Sequence, residues 1–365
     1  AADRATRAEV ALPVMCHFCH GRSMQVKARP EPVRSTAVRR VGSSAIRDLL
    51  AVAERPDVIS LAGGLPNSER FPAEVLAESA AAVLADDPGG ALQYAATAGY
   101  EPLRTWVAAR HGVDAAQVVV THGSQQALEL VVRALADPGD TIALADPGYV
   151  GALQAFRLAG ADLLGVPSDA DGLRVDVLAE RLVAGARPVL VYVVANLDNP
   201  TGATLSAERR VRLAELADRY GFWIVDDDPY GELRFPGQAP PPASLASLSD
   251  RVVTLGSTSK VLAPGLRVGW AVGPEPLVRD LVLLKQAVDL QTATLAQRLA
   301  HHVLVRPGFL EPHLVGLRVA YQEQAEALTS GLRVELGERI TFEQPTGGMF
   351  VWAVVAGVDT RQLLP

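Results

Sequence analysis

A chain of 365 residues is too long for one simple core and suits two domains built on a large α/β unit. Apolar residues make up 49% and charged residues 21%, ordinary for a soluble protein, and a net charge of −7 offers no basic field to a polyanion, which excludes nucleic acid as a partner. No apolar run reaches the ~18 residues of a membrane span, no basic–apolar–small leader opens the chain, and two neighbouring cysteines make no disulfide framework, so a cytoplasmic protein is expected.

Residues 1–40 carry many arginines, several prolines and no sustained apolar period, and read as a disordered extension. Within it, Cys16-His17-Phe18-Cys19-His20 matches the C-x-x-C-H pattern of haem attachment. Five positions are a weak signal, so a chance match is the reading adopted and no metal is expected. Met15 or Met24 is expected to be the start of translation. Ser43–Glu54 then reads as an amphipathic helix with Ile46, Leu49 and Leu50 on one face, followed by a sharp turn at Gly63-Gly64. Helices are expected over Glu74–Leu84 and Glu101–Arg110.

From Gln117 strands and helices alternate. Strands are expected at Val118–Thr121, Thr141–Leu144, Val189–Val194, Trp223–Val225, Val252–Leu255 and Val268–Val272. Helices are expected at Ser124–Ala136, Val150–Ala159 and Ser206–Tyr220, the last with a partial capping box. Strands apolar on both faces and separated by helices imply a mostly parallel sheet covered on both sides. Beyond Val282 the chain reads as helical to about Leu332, and strand-like alternation returns over Ile340–Val354.

Lysine usage singles out one position. Of the 34 lysines and arginines only Lys27, Lys260 and Lys285 are lysine. An arginine stays protonated, whereas a lysine can lose its proton and attack a carbonyl. Lys27 and Lys285 read as surface lysines; Lys260, delivered by the small polar loop Gly256-Ser257-Thr258-Ser259 at a strand end, reads as a Schiff-base lysine. In parallel sheets ligands bind outside the carboxyl ends of the strands, and these ends hold an unusual collection. Gly123-Ser124-Gln125 opens a helix and is a seat for phosphate, to which Ser257 and Arg267 add a hydroxyl and a fork of donors. Tyr149 is suited to stack on a flat ring. Asn199 lies in Asn-Pro-Thr-Gly, which is equally well a simple turn. Asp226-Asp227-Asp228 puts three carboxylates at a strand end, costly unless one meets a cation, with Tyr230 close behind. Phosphate seat, ring, protonated ring nitrogen, phenol and amine together describe a site for pyridoxal 5′-phosphate.

On these residues the chain resembles the fold-type I, class I/II aminotransferases, in the branch of 2-aminoadipate, kynurenine and related broad-specificity enzymes. The resemblance runs from about Val41 to Pro365 through LAGGLP (61–66), QYAATAGYEPLR (93–104), THGSQQAL (121–128), DPGYVGALQ (146–154), NPTG (199–202), DDDPYGEL (226–233), STSKVLAPGLRVGW (257–270) and PTGGMFVW (345–352). It implies an α/β fold with a seven-stranded type of sheet, an N-terminal arm over 41–70, a large pyridoxal-phosphate domain over 71–305 and a small α+β domain over 306–365. It implies that Lys260 is the internal-aldimine lysine and proton shuttle of a ping-pong transfer from an L-amino acid to a 2-oxo acid. Asp227 would pair with the pyridine nitrogen, Tyr230 and Asn199 with the ring oxygen, and Tyr149 would stack on the ring. Ser124, Gln125, Ser257 and Arg267 would hold the phosphate. Asp226 and Asp228 are left structural. The resemblance further implies a homodimer with shared sites, in which Tyr94 reaches the neighbour's phosphate and Gly64 closes over substrate. An arginine that grips the substrate carboxylate is expected several dozen residues beyond the Gly347-Gly348-Met349-Phe350-Val351-Trp352 strand, past Leu363-Leu364-Pro365. The alternatives are another reaction on the same cofactor (decarboxylase, lyase or oxidase) or a regulatory, catalytically impaired relative. The 40-residue extension is too short for a fused DNA-binding domain.

Overall fold

The computed structural model describes residues 34–41, 61 and 64–359. The chain divides into two units, Ala1–Ser35 and Thr36–Pro365, and the architecture below is that of the second. The Cys16–His20 motif, Lys27 and the helix expected over Ser43–Glu54 lie outside the described residues. At the end of the stretch expected to be disordered, Thr36–Val41 form a short helix, α1, with Arg39 and Arg40 in its last turn, where cations favour the helix dipole.

Ala73–Asp86 (α2), Pro88–Leu92 (α3) and Glu101–His111 (α4) follow. The main sheet then begins, eight strands among the described residues. These are Val118–Thr121 (β1), Thr141–Asp146 (β2), Asp162–Asp169 (β3), Gly172–Leu173 (β4), Pro188–Val193 (β5), Trp223–Asp227 (β6), Val252–Ser257 (β7) and Gly269–Val272 (β8), in the order β1-β8-β7-β6-β5-β2-β3-β4. The run β7-β6-β5-β2-β3 is parallel. Its connections carry helices Val150–Ala159 (α6), Val175–Val183 (α7) and Ala207–Tyr220 (α8), while Ser124–Leu135 (α5) links β1 to β2. Val118, Val119, Val120, Val191, Ile224, Val225 and Val253 are fully buried, as strands covered on both faces require.

Two features depart from the expected pattern. The strand β3 and helix α7 are additional, because Gly165, Pro167 and two aspartates make DLLGVPSD a poor strand by propensity. It is nevertheless paired to β2 over Asp162–Pro167, and its last two residues, Ser168 and Asp169, pair with the two-residue β4 outside. Second, β8 runs antiparallel to both β7 and β1. The link from Ser257 to Gly269 holds only the 3₁₀ turn Pro264–Leu266, too short for a crossover helix, so the chain must turn back. The reversal has a consequence for the site: residues just before β8 arrive at the same edge of the sheet as residues just after β7.

Beyond the sheet lie Glu275–Val288 (α9), Thr294–Leu304 (α10) and the long Leu310–Leu336 (α11). A two-stranded antiparallel sheet, Ile340–Phe342 (β9) with Ala353–Val355 (β10), follows. Helix α9 starts earlier than the pattern implied. Lys285 within it is completely buried, against the surface position expected of it. It lies on the same stripe as Leu277, Val278 and Leu281, and Asp289 one turn later takes its charge at 2.7 Å.

Candidate active site

The carboxyl ends of β1, β2, β5, β6 and β7, with the start of β8, converge on one region. Asp227 closes β6 and is buried. Its Oδ2 accepts the Tyr192 hydroxyl at 2.9 Å, while its Oδ1 is buried with no hydrogen-bond partner. Burial pushes this carboxyl up to about 7, with Asp228 adding to the effect and Tyr192 and Lys260 opposing it. A buried oxygen without a donor is costly, and an ionised one costs more.

Lys260 follows β7. Its Nζ donates to the Gly64 carbonyl at 3.0 Å and stands 5.8 Å from the centre of the Tyr230 ring. Burial, helped by the charge of Arg267, brings the amine down to about 8 against the pull of Asp227. Tyr230 is buried, packs edge-on against Phe350 at 5.5 Å, and its hydroxyl accepts from Asn199 Nδ2 at 3.4 Å. Burial drives its phenol well above the ordinary range.

The third corner gathers free hydrogen-bond donors. Gly123 is the N-cap of α5 at φ 75°, so Ser124 is the first helical residue and its hydroxyl is not spent on capping. The N–H groups of this first turn have no helical acceptors. A Cβ on Gly269 would lie 2.6 Å from Ser124 N, and one on Gly123 2.5 Å from Arg267 Nη2; both glycines are needed for loop, strand and guanidinium to close up. Arg267 is exposed, donates to the His122 carbonyl at 3.2 Å and the Pro264 carbonyl at 3.4 Å, and forms no ion pair among the described residues. Ser257 Oγ accepts the Ser259 N–H at 3.0 Å. Gln125 Nε2 donates to the Gly151 carbonyl at 3.0 Å, and Tyr149 donates to Gln125 Oε1 at 3.4 Å. Burial, with the negative charge of Asp227, pushes the Tyr149 phenol up to about 12, and Arg267 pulls it the other way; Tyr149 thus lies within reach of both charges.

Residues 56–364 match the family of class I and II aminotransferases. The chain belongs to that family. Its cofactor is pyridoxal 5′-phosphate, and amino-group transfer is favoured over the decarboxylase, lyase, oxidase and regulatory alternatives. The 2-aminoadipate transaminase of Thermus thermophilus is 43% identical over 86% of this chain and 79% of its own length. Aromatic-amino-acid aminotransferase 1 of Thermococcus litoralis is 40% identical over 88% of this chain and 80% of its own. Among solved structures, the alpha-aminoadipate aminotransferase of Thermus thermophilus, complexed with N-(5′-phosphopyridoxyl)-L-leucine, superposes with a TM-score of 0.84. It is 40% identical, with 90% of this chain and 84% of that one covered.

Of the residues expected in this aminotransferase site, Lys260, Asp227, Tyr230, Asn199, Tyr149, Gln125, Ser124, Ser257, Arg267 and Gly64 come together. Tyr94 does not join them within one chain and is 77% exposed. Two contributors were not singled out from the sequence. Tyr192, in the middle of an apolar run, is the donor to Asp227. Arg210, almost completely buried, donates to the Leu205 and Ala195 carbonyls and to Asn196 Oδ1, and its charge counters Asp226 and Asp228. Asp226 accepts from Ala195 N, and Asp228 from Asn196 Nδ2 and Gly231 N.

Proposed function

We propose that this chain is a pyridoxal-phosphate aminotransferase whose cofactor lies between Lys260, Asp227 and the α5 N-terminus, passing the amino group of an L-amino acid to a 2-oxo acid. The observation that carries the placement is the pairing of two incomplete groups: a buried Asp227 oxygen without a donor and a Lys260 amine with a lowered proton affinity. A cationic ring nitrogen supplies the missing donor, and an aldehyde is the partner for the amine. When bound, the cofactor supplies an electron sink that acidifies the substrate Cα–H.

The residues divide the work. Asp227 would keep a proton on the ring nitrogen, and Tyr192, by donating to Oδ2, leaves Oδ1 free for it. Tyr230 and Asn199 hold the ring oxygen, and Tyr149 covers the ring. Ser124, Gln125, Ser257 and Arg267 hold the phosphate. Lys260 would hold the cofactor through its amine and, once released by substrate, would act as the base that takes the substrate Cα proton. Gly64 lies over the substrate. The division into a large domain over 71–305 and a small one over 306–365 is supported by the separate β9–β10 sheet after α11. No helix among the described residues is long and apolar enough to cross a membrane, and the two-cysteine composition suits a reducing cytoplasm. The relatives act on 2-aminoadipate and aromatic amino acids by name, and these head the donors to screen. The test is the half-reaction: the loaded chain, given donors one at a time without acceptor, converts its cofactor absorbance for some donors. No conversion by any amino acid would sink the assignment.

Two predictions arise here. Tyr192→Phe removes the hydrogen bond that keeps Asp227 acidic, so the acid limb of the kcat/KM profile moves to higher pH. A lost charged hydrogen bond of about 1.5 kcal/mol costs about tenfold in rate. An unmoved acid limb would remove Tyr192 from this role. The second concerns assembly. Leu92, Tyr94 and Leu290 are exposed, and Ala95 N is bonded to Gln291 Oε1; a second copy docking here would cover these side chains. If each site borrows Tyr94 from the partner, Tyr94→Ala and Lys260→Ala are each impaired alone. Refolded together in equal amounts they recover roughly a quarter of the parental rate, because half the dimers are hybrids with one whole site. Absence of recovery would place Tyr94 outside the neighbour's site.

A further inference from the structure

The buried Lys285 belongs to a polar cluster that none of the roles above uses. Its Nζ donates to Asp289 Oδ1 at 2.8 Å, to Asp289 Oδ2 at 2.7 Å and to Gln126 Oε1 at 3.1 Å. Asp289 Oδ2 also accepts from Gln126 Nε2 at 2.7 Å and meets His122 Nδ1 at 2.7 Å. Ala293 N–H points at His122 Nε2 from 3.4 Å, so Nε2 is an acceptor and Nδ1 carries the hydrogen given to Asp289. Gln126 Oε1 accepts the His122 N–H at 2.8 Å. His122 is thereby held by its ring and by its backbone N–H, and its carbonyl is one of two acceptors of the Arg267 guanidinium. The next residue, Gly123, caps the helix whose first turn would receive the cofactor phosphate. Helix α9, the β1–α5 loop and Arg267 are thus joined by one uninterrupted chain of hydrogen bonds.

We infer that Lys285, Asp289, Gln126 and His122 are positioning residues for the cofactor phosphate, fixing the His122–Gly123 backbone and through it the aim of Arg267. The inference rests on the reading of this region as the pyridoxal-phosphate site. A buried ammonium is costly to keep, and fully satisfied buried polar groups return a single rigid geometry. Rigidity matters at this seat because Arg267 has no carboxylate partner among the described residues, and its fork must meet a dianion without first paying to order itself. An apolar pair at 285 and 289 would fill the same space without reaching His122.

The test uses the full chain, emptied of cofactor and titrated with pyridoxal 5′-phosphate, with pyridoxal and with inorganic phosphate. His122→Ala leaves the Lys285–Asp289 pair intact and removes the ring contact to Asp289, while the backbone N–H at 122 keeps Gln126 Oε1; the side chain is 36% exposed, so the variant folds. Asp289→Asn is the stronger lesion, and Lys285→Met with Asp289→Leu removes both charges together where the single change is too disruptive. The expected result for His122→Ala is about tenfold weaker binding of pyridoxal 5′-phosphate, the low end of what loss of an outer-shell partner costs. The thermal shift given by inorganic phosphate shrinks with it, while capture of pyridoxal, which lacks the phosphate, stays at the parental level. Unchanged phosphate and pyridoxal-phosphate binding overturns the inference. So does an equal loss for pyridoxal, which is the mark of a general collapse of the site. A parent chain that takes up no pyridoxal phosphate instead sinks the cofactor reading, and the phosphate-induced shift then tests the seat on its own.

Discussion

Lys260→Ala abolishes amino-group transfer, with kcat falling by at least ~10⁴-fold, because one side chain both holds the cofactor and carries the proton at Cα. Folding is spared: among the described residues the amine's one hydrogen bond is to the Gly64 carbonyl, so the melting temperature stays close to the parent's. Lys260→Arg separates charge from chemistry. Arginine keeps the cation beside Tyr230 and Asp227 but cannot give up its proton, so it is as inactive as alanine. An amine brought down to about 8 is neutral to the extent of about a tenth at pH 7, where an unperturbed lysine is neutral to a few parts in ten thousand. Uptake of cofactor by the emptied chain therefore quickens about tenfold per unit as pH rises toward 8 and levels off above it. Borohydride treatment of the loaded parent, followed by peptide mapping, leaves the pyridoxyl group on the Lys260 peptide. A label on Lys285 or at no lysine would end the proposal.

What could be read from the residues follows what each segment does locally. The strands β1, β2, β5, β6 and β7 are legible because burial on both faces forces apolar runs, and their ends carry the polar residues that the runs exclude. The position of Arg267 beside Lys260 is a property of the reversed β8. It follows from the short 258–268 link, which a mostly parallel reading of the sheet passes over. Tyr192 was invisible for the opposite reason. In Val189–Val194 a tyrosine looks like one more large apolar side chain, and only its register with Val225 and its reach to Asp227 give the hydroxyl a purpose. Lys285 and Arg210 do carry a local signal. Each sits on the apolar stripe of its helix, Lys285 with Leu277 and Leu281, Arg210 with Leu213, Ala214 and Ala217. A cation at such a position is buried and must be paired, and Asp289 stands four residues after Lys285. The strand β3 was lost because its glycine and proline outweigh its short apolar segment in any local reading.

Asp227→Asn moves activity and stability in opposite directions. In the loaded enzyme it removes the anion that faces the ring nitrogen, and withdrawal of one aimed electrostatic group costs about 10²–10³ in kcat. In the emptied chain the same carboxyl is a liability. Its proton affinity in the fold, about 7, lies above the unfolded value of 3.8, so between these the folded chain binds more protons than the unfolded one. Stability therefore falls as pH rises from about 4 to 7, and above 7 the whole cost, on the order of a few kcal/mol, is present. Asp226 next to it, also raised to about 7 by burial and by Asp228, acts in the same direction. Lys260 acts in the other sense in its own window: its folded value of about 8 lies below 10.5, so stability rises again between them. The combined contribution of these three groups in the emptied parent is thus least favourable near pH 7–8. Emptied Asp227→Asn is expected to melt above the emptied parent at pH 8, with the difference vanishing toward pH 4. Adding cofactor reverses the order, because only the aspartate gains an ion pair from the ring. If the advantage of the asparagine at pH 8 is no larger than at pH 4, the carboxylate is not held charged against burial, and a partner for Oδ1 already exists in the empty site.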